Sequence, residues 1–385
     1  WVALAATLAG AAVLFWGGLA AGAYWQVVAL TLAMWIALVQ SWSLFSGLTG
    51  YISLGHAVAY GLGAYVMATQ FNEWPVWVLV PAGGVLAGAV ALIVAVPVLR
   101  VRGPYFVILT FGLAELVKFL LLWLETALGA SSRLLFGAPG IEVLLAWMVA
   151  LAAAATLLRH TVGRSRFGQG LLAIREDEIA AETLGVPVRR YKVMAFALST
   201  VIPGMVGAVM ALRSSYFEVL QVFSPTISFT IVTMAIIGGS GDARGPVLGA
   251  LFLVGLAEVL RGAAPQLYLI IMGLSLVAFV LFAPNGVLVV QHSLFLHIDG
   301  KTIAIALVQG HVVPDLALEA NVRHQAFVGF RVQTRQVAGI RVAIGVAIGD
   351  VKQKDEFVAV RDRAHWAPPW SLVSVGLDDS FLSAF

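Results

Sequence analysis

The chain of 385 residues is 61 % hydrophobic and only 11 % charged, with 39 glycines and no cysteine. Soluble domains are about a quarter charged, so this composition excludes an ordinary water-soluble fold and fits a membrane protein. The lack of cysteine excludes disulfides and thiolate sites, and a formal net charge of +3 is too small for a nucleic-acid footprint.

Apolar runs long enough to cross about 30 Å of hydrocarbon recur along the chain. Spans are predicted at 1–21, 25–46, 51–70, 75–98, 105–128, 141–159, 193–213, 225–239, 246–261 and 266–283. The first is read as a span, because no A-x-A-like cleavage site stands out among its alanines. Abundant glycine and the absence of long alternating segments favour packed helices over a barrel. The predicted fold class is therefore all-α, a polytopic membrane helix bundle of about 8–10 transmembrane helices. The segments 225–239 and 246–261 are short and are expected to be broken or tilted, which is tolerated where backbone is buried in protein.

Orientation follows from lysine and arginine in short loops. Arg100, Arg102, Arg164, Arg166, Arg175, Arg189, Arg190, Lys192 and Arg244 then share the cytoplasmic side, and both ends of 1–291 fall there. Pro97 and Pro104 bracket Arg100 and Arg102, which predicts a tight turn or a short re-entrant break. Gly84 with Gly88, and the cluster Gly55, Gly61 and Gly63, can bring helix backbones close.

Between the spans, 159–192 carries seven Lys/Arg and four Asp/Glu in 34 residues. Gly163–Gly168 is polar and flexible. Leu171, Ile174 and Glu178 fall on one helical face, with Leu172, Ile179 and Ala180 near a second. Gly185 followed by Pro187 ends that helix. The expected element is one short amphipathic helix beside the membrane, with an apolar edge that a soluble partner could grip. A lipid-surface helix that only anchors the loop is the alternative, which the acidic run Glu176, Asp177 and Glu178 fits less well.

Within the membrane, Glu115 and Lys118 stand three apart and can pair on one helix face. Intramembrane ionisable groups are costly and point to function by default. His56 lies near the start of a span and is a candidate for lining a cavity or bonding across helices. No Walker loop and no metal motif occurs, and GGSGDARG at 238–245 lacks the G-K-[ST] ending. Active transport would need a separate chain to hydrolyse the nucleotide, and no cofactor is expected in this one.

Three stretches go further: GLTGYISLGHAVAYGLGAYVMA at 47–68, LRVRGPYFVILTFGLAELVK at 99–118, and SRFGQGLLAIREDEIAAETLGVPVRRYKVMAFALST at 165–200 continuing through AIIGGSGDARGPVLGALF at 235–252. They resemble the membrane permease subunits of branched-chain amino-acid ABC transporters, specifically the M-type partner of the heterodimeric pair. The likeness covers roughly residues 25–290. It implies a non-enzymatic transport subunit in a bacterial inner membrane. Its partners would be a second permease subunit, two ABC ATPase subunits, an external substrate-binding protein and membrane lipid, with no nucleic acid.

By that resemblance, 163–190 is the cytoplasmic segment that docks into a cleft on the ATPase. Phe167, Gly168, Ala173, Ile174, Arg175, Glu176, Asp177, Glu178, Ala181 and Gly185 become the contact candidates. His56, Glu115 and Lys118 are candidates for the pathway. The implied substrates are leucine, isoleucine and valine, with urea or amide import as an alternative. An ion-coupled transporter using Glu115 and Lys118 is a further alternative. The family pattern ends soon after Phe282–Gly286. Residues 292–385 carry nine Lys/Arg and nine Asp/Glu and are expected to be a disordered or weakly structured extension to the permease domain 1–291.

Overall fold

A computed structural model describes residues 2–263 except 102, 128, 130–132, 136 and 215, and beyond these only 273–274, 336–337 and 340–341. The chain divides into two units, Trp1–Gln291 and His292–Phe385. In the second, the strands Gln336–Val337 and Ile340–Arg341 pair antiparallel. The expectations for 266–283 and for 292–385 otherwise lie outside the described residues.

The first unit is a bundle of helices. In chain order they are α1 (Val2–Ala20), α2 (Ala23–Trp42), a π-helical turn (Ser43–Gly47), α3 (His56–Gln70), α4 (Val76–Val98) and α5 (Pro104–Ala127). Then follow α6 (Ile141–Arg164), α7 (Arg166–Glu176), α8 (Glu178–Thr183), α9 (Val188–Ser214), α10 (Val219–Val222), α11 (Pro225–Gly238) and α12 (Arg244–Ala263). Two short strands, β1 (Arg133–Leu134) and β2 (Tyr216–Phe217), pair antiparallel at one end. Among the described residues, six helical segments are long and apolar enough to span a membrane: Ala23–Gly47, α4, α5, α6, α9 and Val219–Gly238. The apolar helices α1 and α3 are shorter.

The centre of the bundle is α9, packed against α3 and α4, while α2 packs on α6 and α11 on α12. The three-helix contact of α3, α4 and α9 is backbone to backbone. A Cβ on Gly63 would overlap the Gly204 carbonyl, and one on Gly204 would come within 2.6 Å of the Gly83 carbonyl oxygen. Lipid gives no hydrophobic drive between helices, so such close approach supplies the dispersion contacts that hold them together. One large apolar cluster fills this core. A second gathers Phe45, Leu48, Val98, Phe106, Leu171, Ile174, Ala181, Val188 and Phe196. It joins the π-helical turn, the end of α4 and the starts of α5 and α9 to α7 and α8.

Several boundaries depart from the sequence expectation, each for a local reason. The span predicted at 51–70 becomes helical only at His56. Gly50 takes φ +74°, a left-handed conformation that ends the preceding helix, and Tyr51–Gly55 runs non-helically. The helix expected through 171–185 splits at Asp177, which has extended φ −154° and caps α8 with its own carboxylate. Residues 246–261, expected to be broken or tilted, are unbroken and lie within one continuous helix, α12. The break near 225 falls instead between α10 and α11, where Ser224 caps α11 ahead of Pro225. The turn between Pro97 and Pro104 is tight, with Gly103 at φ +63° and Pro104 as the first residue of α5.

Candidate coupling surface and intramembrane polar cluster

The charged segment folds as two short helices laid against the ends of the spans. Ser165 starts α7, its Oγ accepting from the Gly168 amide at 3.1 Å. Asp177 then accepts from the amides of Ile179 and Ala180 at 2.8 and 3.1 Å, the pattern of a helix N-cap. Gly185 follows at φ +87°, and the chain turns through Pro187 into α9.

Burial divides the sequence candidates into two groups. Gly168, Ile174 and Ala181 are buried within this chain, and Phe167, Ala173 and Glu178 are half-buried. A Cβ on Gly168 would overlap the Val162 carbonyl, and the Phe167 ring packs on Tyr191 with centroids 4.9 Å apart. Glu176, Asp177 and Gly185 are exposed, as is much of Arg175, whose guanidinium nevertheless turns inward. The outward surface also holds two large apolar side chains that were not among the contact candidates, Ile179 and Leu184, 67 % and 81 % exposed. Their signal in the sequence was two aliphatic residues, five apart, in an otherwise small and polar stretch.

The inner side of this element is tied to the turn after α2. The Arg175 guanidinium donates to the Gly47 carbonyl at 2.8 Å, and its stem lies over Gly50. Glu178 does not face outward. Lys192 of α9 meets its carboxylate at 2.7 Å, and the Tyr51 hydroxyl donates to the other oxygen at 2.7 Å. The ammonium also sits 4.7 Å from the Tyr51 ring centroid, a favourable cation–π placement. Tyr51 in turn packs edge-on against Phe106 of α5.

A second tie lies beside it. Arg159, near the end of α6, donates to Ser43 Oγ at 3.2 Å and to the carbonyls of Ser240 and Gly241 at 3.3 and 3.2 Å. This buried guanidinium therefore fixes the 239–243 loop against the π-helical turn.

Deeper in the bundle, five helices meet at the non-helical segment 51–55 and the start of α3. Trp42 Nε1 donates to the Ser53 carbonyl at 2.8 Å, and the Leu54 amide donates to Thr110 Oγ1 of α5 at 3.2 Å. Ser228 of α11 donates to the Leu54 carbonyl at 2.7 Å and accepts from the Ala57 amide. His56 is fully buried and shares a 3.2 Å hydrogen bond between its Nε2 and Ser199 Oγ of α9. Among the described residues its Nδ1 has no hydrogen-bond partner. These side chains supply the bonds that a helical ladder would otherwise have made, which is what lets irregular backbone sit inside a bundle.

Glu115 and Lys118 form an ion pair on α5, with the ammonium 4.9 Å from the Phe119 ring centroid. Among the described residues no hydrogen bond or ion pair joins this pair to His56. The three intramembrane candidates thus form two separate features.

Residues 24–280 match the family described as branched-chain amino acid transport system / permease component. The chain belongs to this permease family. Two similar proteins are each called high-affinity branched-chain amino acid transport system permease protein LivM, from Escherichia coli K12 and Salmonella typhimurium LT2. Each is 28 % identical over 276 residues, covering 63 % of this chain and 64 % of the relative. The chain thus spans a little under two thirds of the length of these relatives. No solved structure matches it.

Proposed function

We propose that this chain is the M-type permease subunit of an ATP-driven importer. It would form the translocation path together with a second permease subunit, for branched-chain amino acids delivered by an external binding protein. Two ABC ATPase subunits supply the energy, in a bacterial inner membrane, with the basic loops and the α7–α8 element on the cytoplasmic side and 1–291 as the permease domain. The observation that carries this reading is the α7–α8 pair. Its buried face is packed into the bundle, while Ile179 and Leu184 stand out among acidic residues. An apolar edge presented on a rigid, membrane-proximal element suits the groove of a soluble partner. A helix that only rested on an anionic lipid surface would favour basic residues on its outer side, whereas α8 has none, and Asp177 at its cap and Glu182 within it are exposed.

The test is uptake by proteoliposomes holding the copurified subunits and binding protein, with leucine, isoleucine, valine and urea compared. ATP-dependent uptake of the branched-chain amino acids is expected. Urea uptake alone would keep the mechanism and replace the substrate. No ATP-dependent uptake with every partner present would overturn the reading. The double substitution Ile179→Asp with Leu184→Asp is expected to weaken copurification of the ATPase by about tenfold or more, as for loss of two interface anchors, while membrane insertion is retained. Undiminished copurification would remove α8 from the interface.

A further inference from the structure

The apolar side of α7 and α8 packs on the ends of several spans, but the charged residues Arg175, Glu178 and Lys192 are more selective in what they hold. They contact one strategic piece of the bundle, the stretch from the π-helical turn to the start of α3. Arg175 reaches Gly47, the last residue of the turn, and lies over Gly50, the left-handed residue that follows. Glu178 and Lys192 hold Tyr51, the first residue of the non-helical segment. Five residues later that segment delivers His56, which bonds Ser199, while Leu54 and Ala57 on either side bond Thr110 and Ser228, so residues on three other spans meet here. π-Helical turns and left-handed glycines are weak points in a helical span, so this stretch can change conformation at lower cost than the helices on either side.

We propose that Glu178, Lys192, Tyr51 and Arg175 are positioning residues that transmit movement of the ATPase-docking helices to the broken span 43–56, and through it to the polar cluster around His56. This inference rests on reading α7–α8 as the docking element. A buried charge pair suits the task better than apolar contact does. Its geometry is directional, and separating one charge from the other inside a low-dielectric contact is strongly unfavourable. The Glu178–Lys192–Tyr51 triad therefore moves as one body when α8 moves. Tyr51 carries that displacement into a segment with no helical ladder to resist it. Glu178 accordingly acts within this chain and not as a contact to the partner.

The experiment uses the full complex in proteoliposomes and measures solute moved per ATP hydrolysed, for the parent and for Glu178→Gln, Lys192→Gln and Tyr51→Phe. The two charge substitutions are expected to lower that ratio by about tenfold, a typical coupling free energy expressed as a ratio, while ATPase still copurifies. Tyr51→Phe keeps the ring on Phe106 and removes only the hydroxyl, so a smaller loss of about threefold is expected. The reversed pair Glu178→Lys with Lys192→Glu should regain most of the parent ratio, which a merely destabilised protein would not do.

Hydrogen exchange at the amides of 48–55 is a second readout that needs no transport. Faster exchange in Glu178→Gln, by about tenfold, is expected if the triad holds this segment. An unchanged transport ratio in assembled Glu178→Gln complexes, or unchanged exchange at 48–55, would overturn the inference. Failure of the parent complex to show ATP-driven uptake would instead overturn the importer reading, so the two failures are told apart.

Discussion

Ala23–Gly47 and α5 have similar mean hydropathies, 1.8 and 2.1, yet 72 % of the most apolar stretch of the first lies buried within this chain, and only 11 % of the second. Hydropathy measures how well a segment tolerates lipid, not whether lipid is what surrounds it. One difference is that the first span mixes small and polar side chains among its large buried ones. The first presents Ala29, Ala33, Ala37, Gln40, Ser41, Ser43 and Ser46 to its neighbours, all buried. These are small groups that permit close approach, or polar ones that need partners in a bundle. The second turns Tyr105, Ile108, Leu116, Phe119, Leu120 and Trp123 outward, large side chains that lipid tails or an apolar protein face accommodate equally well.

That contrast can be broken most decisively at glycine. Gly63→Leu drives a side chain into the Gly204 carbonyl, and since backbone must shift to admit it, a loss above about 4 kcal/mol is expected, enough to abolish recovery of folded protein. On α5 a Cβ added at the exposed Gly112 meets nothing within 4 Å, and Gly112→Leu is expected to stay within about 0.5 kcal/mol of the parent. Unfolding in detergent measures both. Equal losses would mean that α5 is as tightly packed as the core. A sharper version uses a shared residue type. Phe45 is fully buried against Phe106 and Phe196, and Phe45→Ala is expected to cost about 3 kcal/mol, the lower end for buried phenylalanine because lipid removes part of the transfer contribution. Phe119→Ala should cost under about 0.5 kcal/mol. A large loss at Phe119 in the assembled complex, absent in the isolated chain, would identify α5 as a face covered by another subunit.

Much of the bundle was legible because a membrane span announces itself by length and composition. The start of α4, the turn between Pro97 and Pro104, and the Gly185–Pro187 stop all followed from residue types whose local chemistry leaves few choices. What escaped depended on partners distant in sequence. Tyr51–Gly55 reads as apolar enough to begin a helix, and bonds from Trp42, Thr110 and Ser228, on three other helices, help to make its irregular form stable. Asp177 reads as one member of an acidic run on a helix surface, and only its own capping geometry divides α7 from α8. Glu178 and Lys192 stand fourteen residues apart with a turn between them, so no helical spacing relates them. The exposure of Ile179 and Leu184 was hidden for the converse reason: periodicity marks an apolar face without saying whether that face is turned to the bundle or away from it.

The smallest expected effect concerns the charges on α5, where the contrast between the two spans meets the question of mechanism. Glu115 and Lys118 satisfy one another on a helix that makes little contact with the rest of this chain. Replacing both, Glu115→Gln with Lys118→Gln, leaves no unpaired charge behind, so ATP-driven uptake is expected to stay within about twofold of the parent. The single substitution Glu115→Gln leaves the Lys118 ammonium against the Phe119 ring without its carboxylate, and should be the more damaging of the two. An ion-coupled transporter predicts no such ranking. There both variants would abolish uptake driven by an imposed proton or sodium gradient, because the titrating carboxylate is gone from each. Uptake without ATP in the parent, lost in the double variant, would favour ion coupling over the ATP-driven reading. Gradient-insensitive uptake with the single variant below the double would make the pair a device for keeping two charges tolerable on a peripheral helix.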